Sequence, residues 1–191
     1  MTYLELIKYY YLEDIWREML TFTASKRLVH IKGVIETAYE LAKRYGADCR
    51  NAVVAAIFHD WFRGSTDSEL NKRIEHYGLS DDLKNKANLS HGWLAAELMK
   101  ERYGIADEDL LNAVRYHTTG RAAMSLLEKV VFIADAIEPS RSFADVPELR
   151  RLATVDLDRA MVRALKDTLD YVREKGEILD ESTLHAYQYY L

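Results

Sequence analysis

The stretch AAIFHDWF, Ala55 to Phe62, sets a histidine and an aspartate side by side at the end of the most apolar run in the chain. The run leading into it is hydrophobic on almost every side at helical spacing, which predicts a helix from about Asp48 to Phe62 through the middle of the fold. An ionised carboxylate in such surroundings costs on the order of several kcal/mol unless something positive compensates it. His59 and Asp60 therefore need partners from elsewhere in the chain.

Outward from this point the periodicity stays helical and strand-like alternation is hard to find, so the fold class is all-α. A Tyr-rich amphipathic helix is expected from about Thr2 to Leu20. Ser25 is placed to cap a second helix ending at Gly46, with Ile31, Val34, Ala38, Leu41 and Tyr45 on one face and His30 at its edge. TDSE, Thr66 to Glu69, has the form of a capping box for a short helix ending at Gly78. Further helices are expected from about Leu89 to Tyr103, Asp107 to His117, Ser125 to Glu138 and Asp156 to Lys175, followed by an aromatic tail, HAYQYYL. With 191 residues, 49% of them hydrophobic, and only 2 prolines and 8 glycines, one domain without a linker is expected. Its division is an N-terminal helix over 1–22, packed on a domain over 23–191.

Composition narrows the function. The single Cys49 forms no internal disulfide. The N-terminus mixes acids with apolar residues, unlike a signal peptide, and no apolar run reaches bilayer length, so a cytoplasmic protein without a membrane partner is expected. A net charge of -5 with mixed signs argues against a nucleic-acid surface, while local basic clusters suit a phosphorylated small molecule. A homodimer through the Tyr-rich ends is compatible with the sequence, as is internal packing of the same residues.

His30, the pair His59 and Asp60, and Asp135 within VVFIADAIE each interrupt an apolar helical stretch with a residue type that ligates divalent metals. A lone core histidine is most often simply hydrogen-bonded, so His30 alone carries little. Asp135 shares its face with Glu128 and Glu138 and could by itself be solvated. Together they form a mixed nitrogen and oxygen set without thiolate, which suits iron, manganese or magnesium at least as well as zinc.

In order and spacing these residues resemble the HD-domain phosphohydrolases. The runs YGAD (Tyr45 to Asp48), AAIFHD (Ala55 to Asp60), RYHTTG (Arg115 to Gly120), LEKVVFIADAIEP (Leu127 to Pro139), RSF (Arg141 to Phe143) and DLD (Asp156 to Asp158) are similar to the YqeK-type branch, the symmetrical diadenosine tetraphosphate hydrolases. The resemblance implies an all-helical HD bundle, with His30, His59, Asp60 and Asp135 around one firmly held divalent ion, iron first and manganese or magnesium as alternatives. It implies Asp60 as the catalytic residue, and Arg63, His91, His117, Thr118, Thr119 and Arg141 as contacts to a dinucleoside polyphosphate or nucleotide, with Gly120 leaving room for phosphate. HTTG is equally readable as a helix C-cap, and His91 as a helix-start residue. After the HD pair the branch carries an aromatic, a small residue and a lysine, where this chain has Trp61, Phe62 and Arg63. Arg and Lys hold phosphate differently. Trp61, Phe62 and Phe143 are candidate walls for a base, whereas Arg150, Arg151, His76 and His185 are expected at the surface. The rival readings are another HD nucleotidase, acting on a deoxynucleotide or a guanosine alarmone, and a non-catalytic nucleotide-binding metal domain.

Overall fold

The computed structural model describes residues 12–176 and 179–191, so the expected helical segment over 2–11 lies outside the described residues. The described residues form ten α-helices and no strand: α1 (Leu12–Phe22), α2 (Ser25–Tyr45), α3 (Cys49–Phe58), α4 (Asp67–Tyr77), α5 (Ala87–Tyr103), α6 (Glu108–Arg115), α7 (Leu126–Ile137), α8 (Val146–Val155), α9 (Leu157–Lys175) and α10 (Glu181–Tyr190). None is long and apolar enough to cross a membrane.

Helix α3 is the hub, packed against α2, α5, α6 and α7. Its Ala52, Val53, Ala55, Ala56, Ile57 and Phe58 are wholly buried, as an apolar surface on all sides requires. Asp48 starts the helix by accepting the Asn51 N–H. It ends earlier than expected, at Phe58, because the chain continues in tight turns: Trp61 N–H bonds to Phe58 O and Arg63 N–H to Asp60 O, both at 3.0 Å. His59 and Asp60 thus lie on a rigid corner at the end of the most buried helix. The capping box at Thr66 and Glu69 is present, and a second joins Ser125 to Glu128 at the start of α7. Glu128 is buried because Arg121 grips both its oxygens at 2.6 and 2.7 Å.

Several expectations are corrected. Ala24, without a side-chain cap, precedes α2, and Ser25 lies within the helix. Helix α8, with Pro147 in its first turn, was not anticipated, because proline signals a break as readily as a start. The aromatic tail is a helix, α10, capped by Asp180 and fixed by Tyr190, whose hydroxyl accepts the Met124 N–H at 2.6 Å. Arg150 is not a solvated surface residue. It donates to Ile137 O, Glu138 O and Arg141 O at 2.8, 2.7 and 3.1 Å, supplying a donor to the last carbonyl of α7, which a helix end leaves without an intrahelical partner. Trp61 and Phe62 are not open walls either. Trp61 stacks on Phe58 at 5.0 Å and meets Phe22 edge-on, while Phe62 is buried beneath Arg73. Phe143 alone of the three stays exposed, at 64%.

On the described part of the N-terminal helix, Leu12, Ile15 and Met19 join the core, and Glu18 bonds Tyr103 and Arg102 of α5.

Candidate metal centre

Four buried histidines converge from four places in the chain: His30 on α2, His59 after α3, His91 on α5 and His117 after α6. Each has its Nδ1 anchored. His59 Nδ1 donates to Ala56 O at 2.7 Å, His91 Nδ1 to Ala87 O at 2.9 Å and His117 Nδ1 to Val114 O at 2.7 Å, while His30 Nδ1 donates to the Glu138 carboxylate at 3.0 Å. In the neutral rings all four Nε2 atoms therefore keep a lone pair. These atoms face one another, His30 and His59 at 3.3 Å and His91 and His117 at 3.0 Å. Opposed lone pairs at such distances repel unless a cation or a proton lies between them, so the donor set fits a bound metal.

Asp60 stands between the two pairs. Its Oδ2 lies 3.4 Å from His30 Nε2 and 3.6 Å from His59 Nε2, and its Oδ1 lies 3.4 Å from His91 Nε2 and 4.0 Å from His117 Nε2. Asp135 Oδ1 joins the first group, 3.2 Å from His30 Nε2. Two sets of groups able to hold a divalent cation result, His30, His59 and Asp60 on one side and Asp60, His91 and His117 on the other. Gly92 permits the second, since a side chain there would begin 2.7 Å from Val114 O and 3.1 Å from His117 Nδ1.

Residues 27–140 match the HD domain family. Two symmetrical bis(5'-nucleosyl)-tetraphosphatases are similar over most of their lengths: that of Bacillus subtilis is 40% identical over 85% of this chain and 88% of its own, and that of Halalkalibacterium halodurans 43% identical over 84% and 87%. The chain belongs to this HD-domain family. A crystal structure of an HD superfamily hydrolase from Clostridium acetobutylicum, described as involved in NAD metabolism, aligns with a TM-score of 0.88 at 37% identity, covering 94% of this chain and 96% of that one. The structural likeness thus reaches well beyond residues 27–140.

Charge in the HD site is divided unevenly. Burial resists ionisation of Asp60 and Asp135, but the surrounding imidazoles, with Arg141 beside Asp135, hold both carboxyls well below the usual carboxylate range. Burial pushes His59, His91 and His117 down, His117 to about 4. For His30 burial is outweighed by hydrogen bonds to Asp135, Asp60 and Glu138, which raise it to about 9. The metal-free chain accordingly has a pH signature. His30 contributes stability that is complete below about 6.5 and is lost as pH rises through about 9, whereas His117 makes the fold less stable as pH falls from about 6.5 to about 4. For these groups the urea midpoint of metal-free protein is expected to peak near pH 6.5, and a steady climb from about pH 7 to about 9 would contradict the His30 assignment.

The other expected site residues divide. Arg141 bonds Asp135 through both its carboxylate and its carbonyl, and lies 5.8 Å over the Phe143 ring. Thr118 Oγ1 donates to His117 Nε2 at 3.0 Å, but Thr119 turns its hydroxyl to Gly120 O. Gly120 does not clear a path for phosphate. Its left-handed φ of +64° and its closeness to Leu165, Met124 and Ala186 make it a turn packed on the core. Arg63 is bonded to Asn88. His76 and His185 are exposed, as expected. Two participants were missed: Arg27, whose Nη1 lies 2.6 Å from Asp60 Oδ2, and Glu138. Arg27 stands three residues before His30, where it reads as one more charge on a helix start.

Proposed function

We propose that the protein hydrolyses dinucleoside tetraphosphates symmetrically, with diadenosine tetraphosphate giving two molecules of ADP. The observation that carries this reading is the convergence of four Nδ1-anchored histidines on both oxygens of Asp60, in a chain 40 and 43% identical to two enzymes bearing that name. A complete ligand set also disfavours a decayed, purely nucleotide-binding domain.

A divalent cation in this site would make a coordinated water acidic and offset charge on the phosphoryl oxygens. His30, His59, Asp60 and Asp135 would hold one, with iron preferred and manganese or magnesium as alternatives. His91 and His117 were expected to touch phosphate directly. Their burial, at 1% and 3% exposure, and their aim at Asp60 Oδ1 favour a second ion instead. Asp60 then serves as the carboxylate shared by both groups, and its low proton affinity makes it a better ligand than a base.

The chain's own cations would orient the tetraphosphate. Arg27 and Arg141 are part-exposed, and each guanidinium rests on a ligand carboxylate, so both stand where phosphate oxygens would meet that centre. Either can present a planar fork to phosphate as those carboxylates turn to a cation. Phe143, exposed beside Arg141, is the remaining candidate for stacking on a base.

The product pattern tests the reading. Incubation with diadenosine tetraphosphate and Mn²⁺ or Fe²⁺ is expected to yield ADP alone. AMP with ATP, or no turnover with any divalent metal, would overturn it.

A further inference from the structure

Of the four histidines, three lean on backbone carbonyls and only His30 leans on a charge. Its partner, Glu138, caps α7 and is 1% exposed, among the most buried acids in the fold. The carboxylate is itself held from behind. Ser140 donates its backbone N–H to Oε2 at 2.6 Å and its hydroxyl to Oε1, and Arg141 Nε lies 3.8 Å from Oε1. Arg150 ties down the carbonyls of Ile137, Glu138 and Arg141, so the segment bearing the carboxylate is fixed at both ends.

The space for this acid comes from α2. Gly33 is one turn after His30, on the same helical face. A Cβ on Gly33 would lie 2.5 Å from Glu138 Oε2, 3.2 Å from Pro139 Cδ and 3.3 Å from Glu138 Cβ. The residue is helical with an ordinary negative φ, so no backbone conformation calls for glycine here. Clearance for the carboxylate is what the missing side chain supplies.

We infer that Glu138, admitted by Gly33 and braced by Ser140, is a positioning residue that locks the His30 ring with Nε2 toward the metal centre and adds negative charge behind it. A carboxylate on the far nitrogen fixes the tautomer and strengthens the imidazole as a donor, whereas a carbonyl does so without a charge. The inference rests on the reading of His30 as a ligand.

Mn²⁺ binding to the full chain, measured by chelator competition beside circular dichroism and urea unfolding of the metal-free forms, tests it. Glu138→Gln keeps an oxygen toward His30 but removes the charge, and Glu138→Ala removes both. Their Mn²⁺ affinities are expected to fall by about 10-fold and about 100-fold. Gly33→Ala should also weaken binding with Glu138 intact, because the new methyl displaces the carboxylate. In Glu138→Gln, turnover should recover as Mn²⁺ is raised to saturation, which a merely structural defect would not allow. Should Glu138→Ala fail to fold, Glu138→Gln and Gly33→Ala decide. Wild-type Mn²⁺ affinity in these variants, with affinity lost in His30→Ala, would overturn the role of Glu138 and leave the ligand reading standing. Wild-type affinity in His30→Ala itself would overturn the ligand reading and this inference with it.

Discussion

Asp60→Asn is expected to strip the protein of tightly held metal and to lower turnover by about a thousandfold or more, with its helical content retained. Among the described residues Asp60 is the carboxylate that meets both histidine pairs: Oδ2 addresses His30 and His59, and Oδ1 addresses His91 and His117. Replacing the carboxylate with an amide removes the charge shared by both groups and leaves Arg27 against a neutral partner. The fold should survive because the apolar core, with Ile57 and Phe58 on α3 and Ile133 on α7 fully buried, is untouched. Metal analysis beside circular dichroism checks this. Stoichiometric metal in Asp60→Asn would remove Asp60 from the ligand set, and global unfolding would assign it a structural role.

His91→Ala and His117→Ala are expected to reduce a chain that binds two equivalents of metal to one, and to lower kcat/KM by about 100-fold. Both rings are buried, and burial holds both below the ordinary histidine pKa, so they are neutral at pH 7 and poor direct partners for phosphate. A phosphate contact would cost about 1.5–3 kcal/mol, a kinetic effect of similar size. The metal count therefore decides between the two roles. Wild-type protein that saturates at one equivalent, unchanged in both variants, would restore the phosphate-contact assignment and the single-ion centre.

Local signals carried the helices and their caps a long way. The Thr66 capping box, the left-handed Gly46 and Gly78 and the apolar surface of α3 depend on residues within a few positions of one another, and each was legible from spacing. Where the sequence misled, a distant neighbour decided. Arg150 sits on a charged stretch that periodicity assigns to solvent, but it is drawn inward by carbonyls 9 to 13 residues away, among them the last carbonyl of α7. Gly120 has the composition of a phosphate loop, yet it packs against Leu165 and Ala186, far along the chain.

The metal centre divides the same way. By itself the sequence determined that His59 and Asp60 end a buried helix, that His30 and Asp135 interrupt two others, and that the chain is all-α, because residue type and helical period are local properties; the HD family was implied by the resemblance of its motif runs. Only the tertiary structure decided which atoms meet. His30 finds Glu138 across 108 residues, and His91 finds His117 across 26. Those pairings depend on how α2 lies on α7 and how closely Gly92 lets α5 approach α6, and hence on helix packing, which spacing along one helix cannot encode.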